Sequence, residues 1–136
     1  MPTFRVKEAA ELLGVSDDTV RRWAESGRIA TTTDAAGRRA IDGAALARFA
    51  EELAQETAQL PPGDIVAASV RNRFTGLVTR VVKDTVMAQV EIQSGPHRFV
   101  SLMSREAADE LGLEPGVLAV AAVKATNLSV EIPRAR

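Results

Sequence analysis

The chain has 136 residues, 46 % of them hydrophobic, and 17 Lys and Arg against 18 Asp and Glu leave a net charge of −1. Cys is absent and the one His is His97, which excludes disulfides and thiolate chemistry and argues against a His-based zinc site. The length suits one ordinary domain or two small ones, and with so little net charge any nucleic-acid surface must be a local basic patch.

Apolar spacing is helical at first. Val6, Ala9, Ala10, Leu12 and Leu13 make one stripe, and Gly14 ends that helix. Ser16 is an N-cap for a second helix, and Asp17 and Asp18 suit its positive end. That helix turns Val20, Trp23 and Ala24 inward, and Gly27 closes it. Ile29 to Ile41 reads as a ribbon with its turn at Asp34-Ala35-Ala36-Gly37. Asp42 caps a third helix with Ala45, Leu46, Phe49 and Leu53 on one face.

Pro61-Pro62-Gly63 marks a linker, because paired prolines and a glycine stop a helix. The expected layout is therefore a head over 1–56, a linker over 57–68 and a tail over 69–136. After the linker the period changes to two, as Val86, Ala88, Val90 and Ile92 alternate with polar residues. Leu77 to Val82, Phe99 to Met103, Val117 to Val123 and Leu128 to Ile132 are further strands. Ser104 caps a helix that runs to Leu111 and stops at Gly112. The fold class is α+β in two domains: a winged helix-turn-helix, then a five-stranded OB-like β-barrel with one helix. No apolar run follows Met1-Pro2 and no long apolar segment occurs, so neither a leader nor a membrane span is expected. The chain reads as cytoplasmic.

The head has the parts of a DNA reader. Leu12 to Ser16 forms the turn, and Asp17 to Trp23 forms a second helix with long polar side chains. Thr19 and Arg22 sit three apart and share a face, while Arg21 and Arg22 cannot both point the same way. Arg28, Arg38 and Arg39 add cations on the ribbon. Trp23 shares a face with Val20 and is core. Phe4 to Ala10, Gly14-Val15-Ser16, Thr19 to Trp23, Gly27-Arg28-Ile29 and the Gly37-Arg38-Arg39 wing resemble the MerR/excisionase type of winged helix-turn-helix. Ala40-Ile41 departs from the pattern, since many such wings carry an aromatic there. The resemblance implies double-stranded DNA as partner, with Ser16, Thr19, Arg21, Arg22, Arg28, Arg38 and Arg39 as the contacting residues.

In the tail, Ser69-Val70-Arg71-Asn72 and Val123-Lys124-Ala125-Thr126 each set a cation beside small hydroxyl or amide donors. Sheet pairing that joins the two would make a donor cage for an oxyanion. Those two stretches, with Gly76-Leu77-Val78, Thr85 to Val90, Ser104 to Leu113 and Pro115-Gly116, resemble the molbindin (Mop/TOBE) family over residues 69–132. The resemblance implies binding of intact molybdate or tungstate at subunit interfaces, hence a homo-oligomer through the barrel, either a dimer or a ring of dimers. It assigns Ser69, Arg71, Lys124, Ala125 and Thr126 to the anion. Asn72 either joins them or braces the strand, and Ser104 either donates to the anion or only caps its helix. The familiar molybdate-responsive repressor carries two such domains in tandem behind a different head, whereas this chain has one.

No carboxylate pair, Ser/His/Asp set or Gly-rich phosphate loop occurs, so no enzyme is expected. His97, beside Pro96, reads as a hairpin residue. The expected function is a molybdate- or tungstate-responsive DNA-binding regulator. The alternatives are an anion store whose head serves assembly, and a constitutive DNA-binding architectural protein.

Overall fold

The first unit opens with a short strand, β1 (Thr3–Arg5), just before the helical stripe that begins at Val6. The computed structural model describes residues 2–56 and 69–134. The expected linker over 57–68 lies outside the described residues. The chain divides into two compact units, Met1–Ala58 and Gln59–Arg136. Among the described residues no helix is long and apolar enough to cross a membrane.

The first unit continues with α1 (Val6–Leu13), α2 (Asp17–Glu25), β2 (Thr32–Thr33), β3 (Arg39–Asp42) and α3 (Gly43–Glu56). The three strands form an antiparallel sheet in the order β1-β3-β2, with Phe4 opposite Ile41 and Thr33 opposite Arg39. The caps fall where local chemistry puts them. Ser16 Oγ accepts the Thr19 N–H at 3.2 Å, and Asp42 Oδ2 accepts the Ala45 N–H at 3.1 Å. Gly14 takes the left-handed conformation at φ 72°, which a side chain disfavours, and so turns the chain from α1 into α2. Ala9, Ala10, Val20, Ile29, Ile41, Leu46 and Phe49 form the core, with Trp23 and Leu53 packed against it. One stripe residue departs from expectation: Leu12 is 64 % exposed, because α1 buries only the narrower face that meets α2 and the sheet.

The second unit comprises β4 (Asn72–Lys83), β5 (Met87–Ser94), β6 (His97–Ser104), α4 (Arg105–Glu110), β7 (Leu118–Val123) and a 3-10 turn over Ala125–Asn127. The sheet is antiparallel in the order β6-β5-β4-β7. β4 serves two neighbours. Its first half, Asn72 to Leu77, pairs with β7, and its second half, Leu77 to Lys83, pairs with β5. The register shifts between Val78 and Arg80, which marks a bulge that bends the strand and curls the sheet. At the bend the backbones meet closely: a Cβ on Gly76 would stand 2.3 Å from the Gln93 carbonyl oxygen. Val78, Val90 and Ile92 form the core under the curl, with Phe99, Met103, Val117, Ala119 and Ala121 packed on it.

Two expectations are corrected. Among the described residues the sheet has four strands rather than five, and Leu128 to Ile132 pairs with none of them. Leu128, Val130 and Ile132 stand 53 %, 81 % and 87 % exposed. Alternation encodes an apolar face but not the free edge that a strand needs. Val86 also leaves its predicted stripe. It is exposed in the turn before β5, where Asp84 Oδ1 accepts the N–H groups of Val86 and Met87 at 2.7 Å each.

Candidate functional site

In the first unit, packing of Val20 inward turns the opposite side of α2 to solvent. Arg21 Nη1 donates to Asp18 Oδ1 at 3.1 Å, and Arg22 Nη2 donates to Thr19 Oγ1 at 3.3 Å. Ser16 Oγ and Thr19 Oγ1 lie 2.8 Å apart, so Ser16, Thr19 and Arg22 form one hydrogen-bonded row. The β2–β3 hairpin carries Arg38 and Arg39, both exposed. Asp34 Oδ1 organises its turn by accepting the N–H groups of Ala36 and Arg38 at 2.9 Å each. Arg38 Nε lies 3.7 Å from Asp34 Oδ2.

Arg28 stands apart from this group. Its guanidinium lies 5.3 Å from the ring centroids of both Trp23 and Phe49 and donates to Glu56 Oε2 at 2.5 Å. Trp23 and Phe49 are themselves 5.1 Å apart. Arg28 therefore closes one side of the core and ties the end of α3 to it. That role depends on a contact 28 residues away in sequence, which nothing local announces.

In the second unit, pairing of β4 with β7 sets Asn72 opposite Val123. The two donor clusters of the sequence are thereby joined at one end of the sheet. Asn72 Nδ2 donates to the Val123 carbonyl at 3.1 Å, so its amide spans the two strands. Lys124 then starts the 3-10 turn, and its carbonyl accepts the Asn127 N–H at 2.9 Å. Ser69, Arg71, Lys124, Ala125 and Thr126 are all exposed. Ser104 is not brought to them within the chain. It lies opposite Met87, near Lys83 at the other end of β4, and its Oγ caps α4 by accepting the Ala107 N–H at 3.1 Å.

Three further features escaped the sequence reading. A polar network joins the β4–β5 turn to α4, with Lys83 Nζ donating to Asp109 Oδ1 at 2.5 Å and Arg105 Nη1 donating to the Asp84 carbonyl at 3.2 Å. The two backbone N–H donors, foremost that of Met87, hold the Asp84 carboxyl below its ordinary value of 3.8, and the Lys83 hydrogen bond does the same for Asp109. On β5, the buried Glu91 pairs with Arg98 of β6. Finally, an apolar cleft of about 530 Å³ opens between the edge strands β6 and β7, lined by Phe99, Met103, Leu113, Val117, Ala119 and Ala121 among others. Among the described residues no three His, Asp or Glu side chains gather to hold a metal ion.

Residues 3–54 match the helix-turn-helix domain family, and residues 68–130 match the TOBE domain family. The chain therefore carries a helix-turn-helix match followed by a TOBE match. Two solved structures are similar to the TOBE half. A molybdate binding protein from Sporomusa ovata is 31 % identical, with 49 % of this chain and 100 % of that chain covered and a TM-score of 0.48. MopII from Clostridium pasteurianum is 30 % identical, with 48 % and 100 % covered and a TM-score of 0.46. No curated protein matches the chain.

Proposed function

We propose that this protein is a molybdate- or tungstate-responsive DNA-binding regulator, with the anion held by the TOBE domain and DNA by the helix-turn-helix domain. The observation that carries the reading is the pairing of Asn72 with Val123, which puts Arg71 and Lys124 on adjoining segments of a TOBE domain. Identity of 31 % along the full length of a molybdate binding protein supports the choice of ligand. Tungstate has the same charge and shape and enters on chemical grounds.

A dianion leaves water only where charge and donors replace its hydration. Arg71 supplies a planar fork of donors and Lys124 a movable point charge, which together offset both negative charges. Ser69 and Thr126 add hydroxyls, and the backbone at Ala125 lets oxygen approach closely. Asn72 braces the strands through its bond to Val123. Ser104 serves as a helix cap within its own chain and reaches an anion only on another copy.

Because the cluster is exposed in one chain, a second copy completes it. The unpaired Leu128–Ile132 segment and the open cleft support this. The segment offers alternating aliphatic side chains and the cleft offers an apolar slot between two free strand edges. Each copy carries both halves, so exchange between two copies closes on itself. The oligomer is a dimer, or a ring built from dimers, in the cytoplasm. The head is of the MerR/excisionase type: α2 enters the major groove and the β2–β3 hairpin acts as the wing, with Arg38 and Arg39 toward the backbone.

The test is titration calorimetry of the full chain with molybdate, beside Arg71→Ala and Lys124→Ala. Wild-type protein is expected to bind, and each substitution to weaken binding on the order of tenfold or more, as loss of a charge-assisted hydrogen bond does. Unchanged affinity in both variants would place the anion elsewhere.

A further inference from the structure

The face that α2 turns outward carries no net charge, which is unexpected on a helix that approaches a polyanion. Val20 is fully buried, and at about 100° per residue Asp18 and Arg22 lie roughly 160° from it, at the centre of the outer face. Glu25 lies beside them and Arg21 at the edge of the face on the same side, so two acids balance two arginines. The Asp18 side chain is 89 % exposed and that of Arg21 53 % exposed, and the two are joined at 3.1 Å.

A carboxylate at that position repels phosphate, so it weakens non-specific binding. It becomes favourable where it meets a donor. The major groove offers amino donors only on cytosine N4 and adenine N6, and the N6 group sits beside the N7 acceptor, which repels a carboxylate. Cytosine is therefore the base that fits. An arginine fork in turn fits the O6 and N7 acceptors of guanine. A paired Arg and Asp, held side by side one helical turn apart, is complementary to the acceptor, acceptor, donor edge of G·C. Phosphate attraction then falls to cations off this face, among them Arg38 and Arg39 of the hairpin.

We infer that Asp18, held against Arg21, is a specificity-determining residue that reads cytosine in a G·C pair through the major groove. This rests on the proposal that α2 is the DNA-reading helix. The competing role for Asp18 is purely structural, because an acid in the first turn also stabilises the helix. Asp17 shares that structural role but is partly buried, so it serves as the control.

The experiment is selection of binding sites from random duplexes with the full chain, molybdate present, for wild type, Asp18→Asn and Asp17→Asn. Wild type is expected to enrich a motif with a G·C pair, and Asp18→Asn to prefer that pair less, since an amide carries no charge and can also pair with adenine N6 and N7. Discrimination at that one pair should fall on the order of tenfold, while selection at the other positions stays as it was. Asp17→Asn should return the wild-type motif. An unchanged motif from Asp18→Asn overturns this inference and leaves the DNA-binding proposal standing. A wild-type chain that enriches no motif overturns both.

Discussion

Asp84 shows how one side chain can set a local pH dependence. Its carboxylate accepts two backbone N–H groups at the β4–β5 turn, and these bonds favour the ionised form. Its pKa in the folded chain is therefore below the ordinary 3.8. A carboxyl depressed on folding contributes stability at pH above its unfolded value and loses it as pH falls through the folded value. Asp109, held down by Lys83, acts in the same direction. Asp84→Ala is expected to lower the urea midpoint of the TOBE domain at pH 7, with the gap to wild type narrowing toward pH 3. A gap equal at both pH values would show that the carboxylate charge is not what matters. Residue-scale features were legible when the partner is close in sequence. Ser16, Asp42 and Ser104 are legible as caps, and each accepts the N–H three residues ahead. Arg28 with Glu56 and Glu91 with Arg98 were not legible, because tertiary packing selects those partners.

At the scale of elements, the segment Leu128 to Ile132 is the informative case. Its alternation predicts a strand, and among the described residues it pairs with no other, while an open cleft lies between β6 and β7. Burying a Val, Leu or Ile side chain contributes roughly 1.5–3 kcal/mol, so three such residues per copy make a substantial interface. Val130→Glu sets a charge at the middle of the segment. It is expected to weaken self-association by about a hundredfold or more, read as a shift toward monomer in light scattering across a dilution series. An unchanged mass at every concentration would mean that the segment does not hold copies together. β4 is the opposite case. Only Leu77 to Val82 of its twelve residues is legible in the sequence, because Asn72, Arg73 and Gly76 interrupt the stretch before it, which pairing with β7 holds.

For the whole molecule, the question is whether the two domains are coupled. A ligand shifts an equilibrium only by its difference in affinity for the two states. If molybdate binding completes between copies, it favours the assembled state, and assembly brings two heads to one DNA. Operator affinity is then expected to change on the order of fivefold or more with molybdate, measured by fluorescence anisotropy at one ionic strength. Constant salt is essential, because phosphate contacts weaken steeply as salt rises. Equal affinity with and without the anion removes the switch. Anion binding with no DNA binding would make the protein an anion store.

By itself the amino-acid sequence determined the order of the four helices and most of the strands, the caps, much of the inward faces and the two donor clusters. Each of these depends on neighbours within a few residues or on a period that side chains impose on the backbone. Only the tertiary structure decided that the clusters meet, since Asn72 and Val123 are joined by strand pairing across 51 residues. It also decided that Arg28 lies over Trp23 and Phe49 and pairs with Glu56, and that Leu128 to Ile132 finds no partner strand among the described residues. Pairing, packing and the count of free edges are properties of the closed sheet, and no short stretch of sequence contains them.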